Sequence, residues 1–257
     1  MAIVKQSPLA LRATGLTKQF GGVIAVDGVD FSIPEGQVHA FIGPNGAGKT
    51  TLFSLITKTL TLTKGRLEYF GEDVAHIGQP LMARKGMVRS FQISSIFNGL
   101  PVIENVRLAL LRASDLSKCF WRGDQASKRY NQESEEILEL VGLHDMRTHQ
   151  AAQLPYGKKR ALELAITIAT RPRILLLDEP TAGLGREDIE RITQLIKKIA
   201  SGRTVLIVEH NLGVVAALAD KVTVLARGKV IANGTYREMT QNAEVTEAYF
   251  GRSKHGK

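Results

Sequence analysis

An α/β fold with a mainly parallel sheet is predicted by three observations. Residues 174–177 and 205–208 are continuous apolar runs, the pattern of strands covered on both faces. The stretch 187–200 between them is amphipathic, and strand, helix, strand in that order makes the two strands parallel neighbours of one sheet. Upstream, a strand over 38–42 passes at once into Gly43-Pro44-Asn45-Gly46-Ala47-Gly48-Lys49-Thr50 and then into a helix over 51–57.

The remaining elements follow in chain order. Val29, Phe31 and Ile33 alternate with Asp30 and Ser32, so this segment reads as a half-buried strand, ended by the turn Pro34-Glu35-Gly36. Gly65 precedes a short strand over 66–70. Helical spacing recurs at 102–111 and 133–141, where Ile137, Leu138 and Val141 share a face opposite Glu135, Glu136 and Glu139. Residues 93–170 therefore read as mainly helical. A short helix is expected over 244–250.

The chain of 257 residues is long enough for one large domain, 1–257, with an inserted subdomain. Hydrophobic residues make up 44% and charged residues 23%, which excludes a disordered chain. Lys and Arg number 34 against 25 Asp and Glu, a formal charge of +9 scattered without a basic run. Such a surface suits an acidic partner or is simply a solvated face. The single cysteine, Cys119, rules out a disulfide within the chain and points to a reducing compartment. Residues 1–11 carry Lys5, Gln6, Ser7 and Pro8 and do not read as a secretory signal. No apolar run approaches the roughly 18 residues that span a bilayer, so a role at a membrane requires another protein to hold this one there.

Gly43 to Thr50 matches the phosphate-binding pattern G-x-x-x-x-G-K-[ST], and it stands between a strand and a helix as that pattern requires. The glycines let backbone N–H groups curl around phosphate oxygens, and the following helix presents its N-terminal dipole to the same anion. Asn45, Gly46, Gly48, Lys49, Thr50 and Thr51 are the expected nucleotide contacts. Lys49 reaches the β- and γ-phosphates, and Thr50 offers a hydroxyl to Mg2+, a cation that takes oxygen ligands. The loop alone does not separate an ATPase from a nucleotide kinase or a GTPase. Asp178 and Glu179 close the apolar run 174–177, and ligand sites in such sheets lie at the carboxyl ends of strands. Asp178 is expected beside Mg2+, and Glu179 beside the attacking water as its general base.

Four further features fall in a fixed order: Phe20 in Lys18-Gln19-Phe20-Gly21-Gly22; Gln92 after the strand 88–91; Leu154-Pro155-Tyr156-Gly157-Lys158-Lys159-Arg160 before a helix; and His210 after the run 205–208. With the loop and the carboxylate pair, this order resembles the ATPase family of ABC transporters over about 9–251. The resemblance implies a RecA-like core with an N-terminal antiparallel β part, formed by 1–92 and 171–257, and a helical subdomain over 93–170 that carries the signature. It implies that Phe20 stacks on adenine, that Gln92 senses Mg2+ and the water, and that His210 bonds the γ-phosphate. Pro155, Tyr156 and Gly157 would bind the γ-phosphate of ATP held by an opposing subunit.

Two positions depart from the family pattern. The usual signature Leu-Ser-Gly-Gly-Gln reads Leu154-Pro155-Tyr156-Gly157-Lys158, without the serine hydroxyl. The loop after the carboxylates reads Ala182-Gly183-Leu184-Gly185, where the last position is usually Asp.

Local strings narrow the branch. Residues 18–26, 88–92, 97–106 and 245–251 resemble the ATPases of bacterial branched-chain and hydrophobic amino-acid importers, a branch that also serves urea and short amides. The longer of that system's paired ATPases carries an extra segment, which 116–130 fits. The implied partners are two transmembrane permease subunits, a second ABC ATPase and an extracytoplasmic solute-binding protein. Attachment would be peripheral, at the cytoplasmic face of the inner membrane, with helices of the permeases docking near Gln92 and residues 93–100. No nucleic acid is expected, because neither the long coiled coils of DNA-repair members nor the paired ATPase domains of ribosomal members are present. A small-molecule kinase would not need Gln92, the signature and His210 in this order.

Overall fold

The computed structural model describes residues 8–90, 96–113 and 123–250. The chain divides into two compact units, 1–87 with 200–257, and 88–199.

The first unit opens with a hairpin of β1 (Leu9–Phe20) and β2 (Val23–Pro34), turned at Gly21-Gly22 so that Phe20 pairs with Val23. On β2 the predicted alternation holds: Val29, Phe31 and Ile33 are buried, while Asp30 and Ser32 face out. The strand extends further toward its N-terminus than that alternation indicates. Register shifts and the left-handed Gly28 (φ +62°) reset the side-chain phase while pairing continues. β4 (Lys64–Tyr69) pairs antiparallel with β1, and β5 (Glu72–Asp73) with β4, giving the order β2-β1-β4-β5.

The same unit holds the parallel centre. β3 (Val38–Ile42) runs parallel to β8 (Thr204–Val208) on one side and to β9 (Lys221–Ala226) on the other, and β10 (Lys229–Gly234) returns antiparallel to β9. Every residue of β3 and β8 is buried, and all but His39 and Thr204 are apolar. His39 is 1% exposed, and its Nε2 lies 2.8 Å from Thr223 Oγ1 on β9. Burial, with a smaller contribution from Lys221, pushes its imidazole down to about 4. α1 (Lys49–Ile56) follows β3. α2 (Gln79–Arg84) starts at Gly78-Gln79-Pro80, and proline suits a first turn. α7 (Leu212–Leu218) precedes β9. α8 (Tyr236–Thr240) and α9 (Ala243–Phe250) close the unit, Met239 and Val245 packing with Ala40, Ile42, Val222 and Val224 of the sheet.

The second unit contains β6 (Met87–Ser90), which begins at its boundary, and β7 (Ile174–Asp178), with Ser90 Oγ donating to the Leu176 carbonyl at 3.3 Å. Helices α3 (Val102–Ala113), α4 (Gly123–Leu140) and α5 (Tyr156–Ala169) pack on one another. Val106 and Leu110 of α3, Ile137 and Leu138 of α4 and Leu162 and Ala165 of α5 are buried, so the helical spacing does mark the inner face. Residues 116–122 of the extra segment, Cys119 included, lie outside the described residues. α6 (Arg186–Ala200) buries Ile192, Leu195, Ile196 and Ile199 and exposes its charges. Glu187 and Asp188 in its first turn and Lys197 and Lys198 in its last both favour the helix dipole.

Candidate nucleotide site

The phosphate loop lies in the first unit, between the carboxyl end of β3 and the amino end of α1. Its shape depends on missing side chains. A Cβ on Gly43 (φ +153°) would lie 2.1 Å from the Leu225 carbonyl oxygen, and one on Gly48 (φ +99°) 2.5 Å from that of Ala25. Only glycine fits such positions. The turn between β9 and β10 braces the loop from behind: Gly228 N–H donates to the Ala47 carbonyl at 3.0 Å, and Asp27 N–H to the Gly228 carbonyl at 2.8 Å. Lys49 is buried, and its Nζ donates to the Gly43 carbonyl at 2.7 Å and the Pro44 carbonyl at 3.0 Å. The ammonium is thus held over the mouth of the loop. Asn45, Gly46 and Thr50 are exposed and Thr51 half-buried. α1 has neither a side-chain cap nor an acid in its first turn, so its N-terminal N–H groups and dipole are left for an anion.

Phe20 ends β1 with its ring 46% exposed and Lys18 Nζ 5.0 Å from the ring centroid. A flat exposed face is what stacking on a base requires. His210 is exposed just beyond β8, which neighbours β3, so loop and histidine leave the carboxyl ends of adjacent parallel strands. The buried Glu209 shapes that turn, its Oε2 accepting from His210 N–H at 2.8 Å and Asn211 N–H at 3.1 Å. Asn211 in turn caps α7 through Gly213 and Val214.

In the second unit, Asp178 ends β7 and forms an ion pair with Arg89 of β6, both side chains largely buried. Glu179 follows with φ +50°, a strained conformation for a residue with a Cβ, and its carbonyl accepts from Ala182 N–H at 3.1 Å. Lys58, Phe70, Arg171 and Arg227 share this left-handed conformation, but Glu179 alone has it directly after a site carboxylate. Pro155 is the extended residue before α5, with no side-chain cap. Tyr156 is exposed and Gly157 buried. Lys158 Nζ is committed to the Gly142 carbonyl at 2.9 Å. Gln92 and residues 91–95 lie outside the described residues.

Among the described residues, no cluster of three or more His, Cys, Asp or Glu side chains could hold a metal by itself. Thr50 and Asp178 are oxygen donors of the type Mg2+ takes, and that ion normally completes its shell with phosphate and water. Each of the two, taken in its own unit, fits an ion that brings most of its oxygen ligands from a nucleotide and water.

The family profile described as "ABC transporter" matches residues 26–182. The chain belongs to the ABC transporter family. Over 250 residues it is 38% identical to the high-affinity branched-chain amino acid transport ATP-binding protein BraF of Pseudomonas aeruginosa, covering 94% of this chain and 97% of that one. The ADP conformation of an ATP-binding cassette from an ABC transporter superposes with a TM-score of 0.81 at 28% identity, covering 95% of this chain and 99% of that one. A dimeric cassette in a post-hydrolysis state, bound to ADP and phosphate, gives 0.74 at 25% identity, covering 88% and 99%. This chain is accordingly an ATP-hydrolysing ABC cassette, with the α/β fold expected.

Sequence reasoning about this ABC ATPase passed over Arg89, Glu209 and Gly228. Arg89 carried a usable signal, since a cation inside an apolar strand needs a buried partner. Gly228 carried none: a glycine in a surface hairpin turn looks alike whether or not a loop rests on it.

Proposed function

We propose that this chain energises the import of branched-chain or other hydrophobic amino acids, with small amides and urea as related cargo. The observation that carries the proposal is the 38% identity to BraF along nearly the full length of both proteins. Two copies, or this chain and a second ABC ATPase, form the working pair. They attach to two transmembrane permease subunits at the cytoplasmic face of the inner membrane, served outside by a solute-binding protein. No helix among the described residues is long and apolar enough to cross a membrane, so the path for solute belongs to the permeases.

Phe20 stacks on adenine. The backbone from Asn45 to Thr51 and the Lys49 ammonium bind the phosphates. Thr50, Gln92 and Asp178 would hold Mg2+, which would supply positive charge to the phosphates. Glu179 takes a proton from the attacking water, and His210 holds water and γ-phosphate in line. Hydrolysis of this kind is mostly positioning and electrostatic stabilisation in a dry site, which a closed dimer interface provides. ATP drives closure only through its higher affinity for the closed pair. Loss of the γ-phosphate reopens it and resets the permeases.

The test is to tag the protein, solubilise native membranes in mild detergent and identify what co-purifies. Two multi-span subunits and a second ATPase are expected. Recovery in the soluble fraction with nucleic acid or ribosomes would overturn the transporter assignment.

A further inference from the structure

The signature lacks its serine and the loop after Glu179 lacks its aspartate, and both departures lie in one unit, where other residues join the two segments. Tyr156, third in the signature, extends its hydroxyl to the loop after Glu179. The hydroxyl donates to the Ala182 carbonyl at 3.3 Å and accepts from Arg160 Nη2 at 2.8 Å. Arg160 is itself fixed: its Nη1 donates to Glu163 Oε2 at 2.9 Å, and its guanidinium lies 5.2 Å from the Tyr156 ring centroid. On the far side, Ala182 N–H donates to the Glu179 carbonyl at 3.1 Å. A continuous chain of hydrogen bonds thus runs from Glu163 through Arg160 and Tyr156 to the backbone of the strained Glu179.

A second tie lies beside the first. A Cβ on Gly157 would meet the Asp188 carboxylate at 2.4–2.5 Å, so the bare glycine lets that carboxylate lie flat against the signature turn. Arg191 Nη1, 3.0 Å from Asp188 Oδ1, holds it there. Gly183, in the left-handed region at φ +75°, brings the loop into van der Waals reach of the Tyr156 ring, its built Cβ lying 3.5 Å from the hydroxyl.

We infer that Tyr156 and Asp188 are positioning residues that lock the signature turn to the loop carrying Glu179, so that phosphate captured by the first aligns the general base in the second. This rests on the proposed roles of Glu179 and of the signature. It also gives Tyr156 a different task from the nucleotide contact that the resemblance implied. A hydroxyl that accepts from Arg160 and donates to Ala182 has its proton and its best lone pair already engaged. The tie restores, within one chain, some of the coupling that the missing serine and aspartate would have carried across a dimer.

The experiment compares wild type, Tyr156→Phe, Asp188→Ala and Glu179→Gln as purified full chains. It measures kcat and KM for ATP hydrolysis, nucleotide affinity and melting temperature. Tyr156→Phe keeps the ring and its stacking on Arg160 and removes only the hydroxyl of a half-exposed side chain. Its kcat is expected to fall about tenfold, the scale of a misaligned base. KM and nucleotide affinity should stay within about twofold, because binding that is uniform along the reaction is untouched. Asp188→Ala should lower kcat in the same way. Unchanged kcat in both variants overturns the inference, as does a raised KM at unchanged kcat in Tyr156→Phe, which would make the tyrosine a nucleotide contact. A lower melting temperature at unchanged kcat also overturns it, since the ties would then be structural only. Failure of the underlying assignment is separately visible, as full activity in Glu179→Gln.

Discussion

At Gly48 an added methyl would stand 2.5 Å from the Ala25 carbonyl oxygen on a backbone at φ +99°. The obstacle is rigid, because it is backbone of β2 and not the end of a flexible side chain. Gly48→Ala should therefore destabilise the protein by about 1–3 kcal/mol and deform the cradle. Nucleotide titration is expected to show loss of ATP binding, with a lower melting temperature; normal affinity would contradict the role given to the loop. The pairing of Asp178 with Arg89 follows another rule. A carboxylate this far from solvent needs a neutralising partner, and Arg89, 8% exposed at its side chain, supplies one.

Among elements, the buried strands were the most legible. β3 was readable from 38 to 42 as observed, and β7 and β8 to within one residue, because two-sided burial leaves an apolar run with no competing pattern. β9 and β10 were not read. Thr223 interrupts the apolar series of β9, although it is fully buried, because it satisfies His39 and accepts from Asn233 Nδ2 at 3.1 Å. β10 pairs at the sheet edge with half-buried side chains and so shows little periodicity. The hairpin of β1 and β2 was seen only in part, since its bulges break the alternation. His39 on β3 also makes a prediction. Its folded pKa is about 4 against an ordinary 6.5, so below pH 6.5 the unfolded chain takes up a proton that the folded one refuses. Stability should be complete above pH 6.5 and fall by about 3 kcal/mol on approaching pH 4. Denaturant unfolding across that range checks it, with His39→Gln expected to flatten the slope. An unchanged slope in that variant would contradict it.

At the scale of the whole molecule, the order of motifs carried more information than any one of them. The phosphate loop, the signature turn, the carboxylate pair and the histidine are spread between residues 43 and 210, yet each stands at the end of a strand or helix. Gln92, by contrast, is known only from the sequence. The central claim is that Glu179, held at φ +50° beyond β7, is the base for ATP hydrolysis. Phosphate release by wild type and Glu179→Gln, at saturating ATP and Mg2+, tests it most directly. A fall of about 100-fold or more is expected, with nucleotide affinity intact and an ATP-bound dimer accumulating on size exclusion. Full turnover in Glu179→Gln would contradict the account.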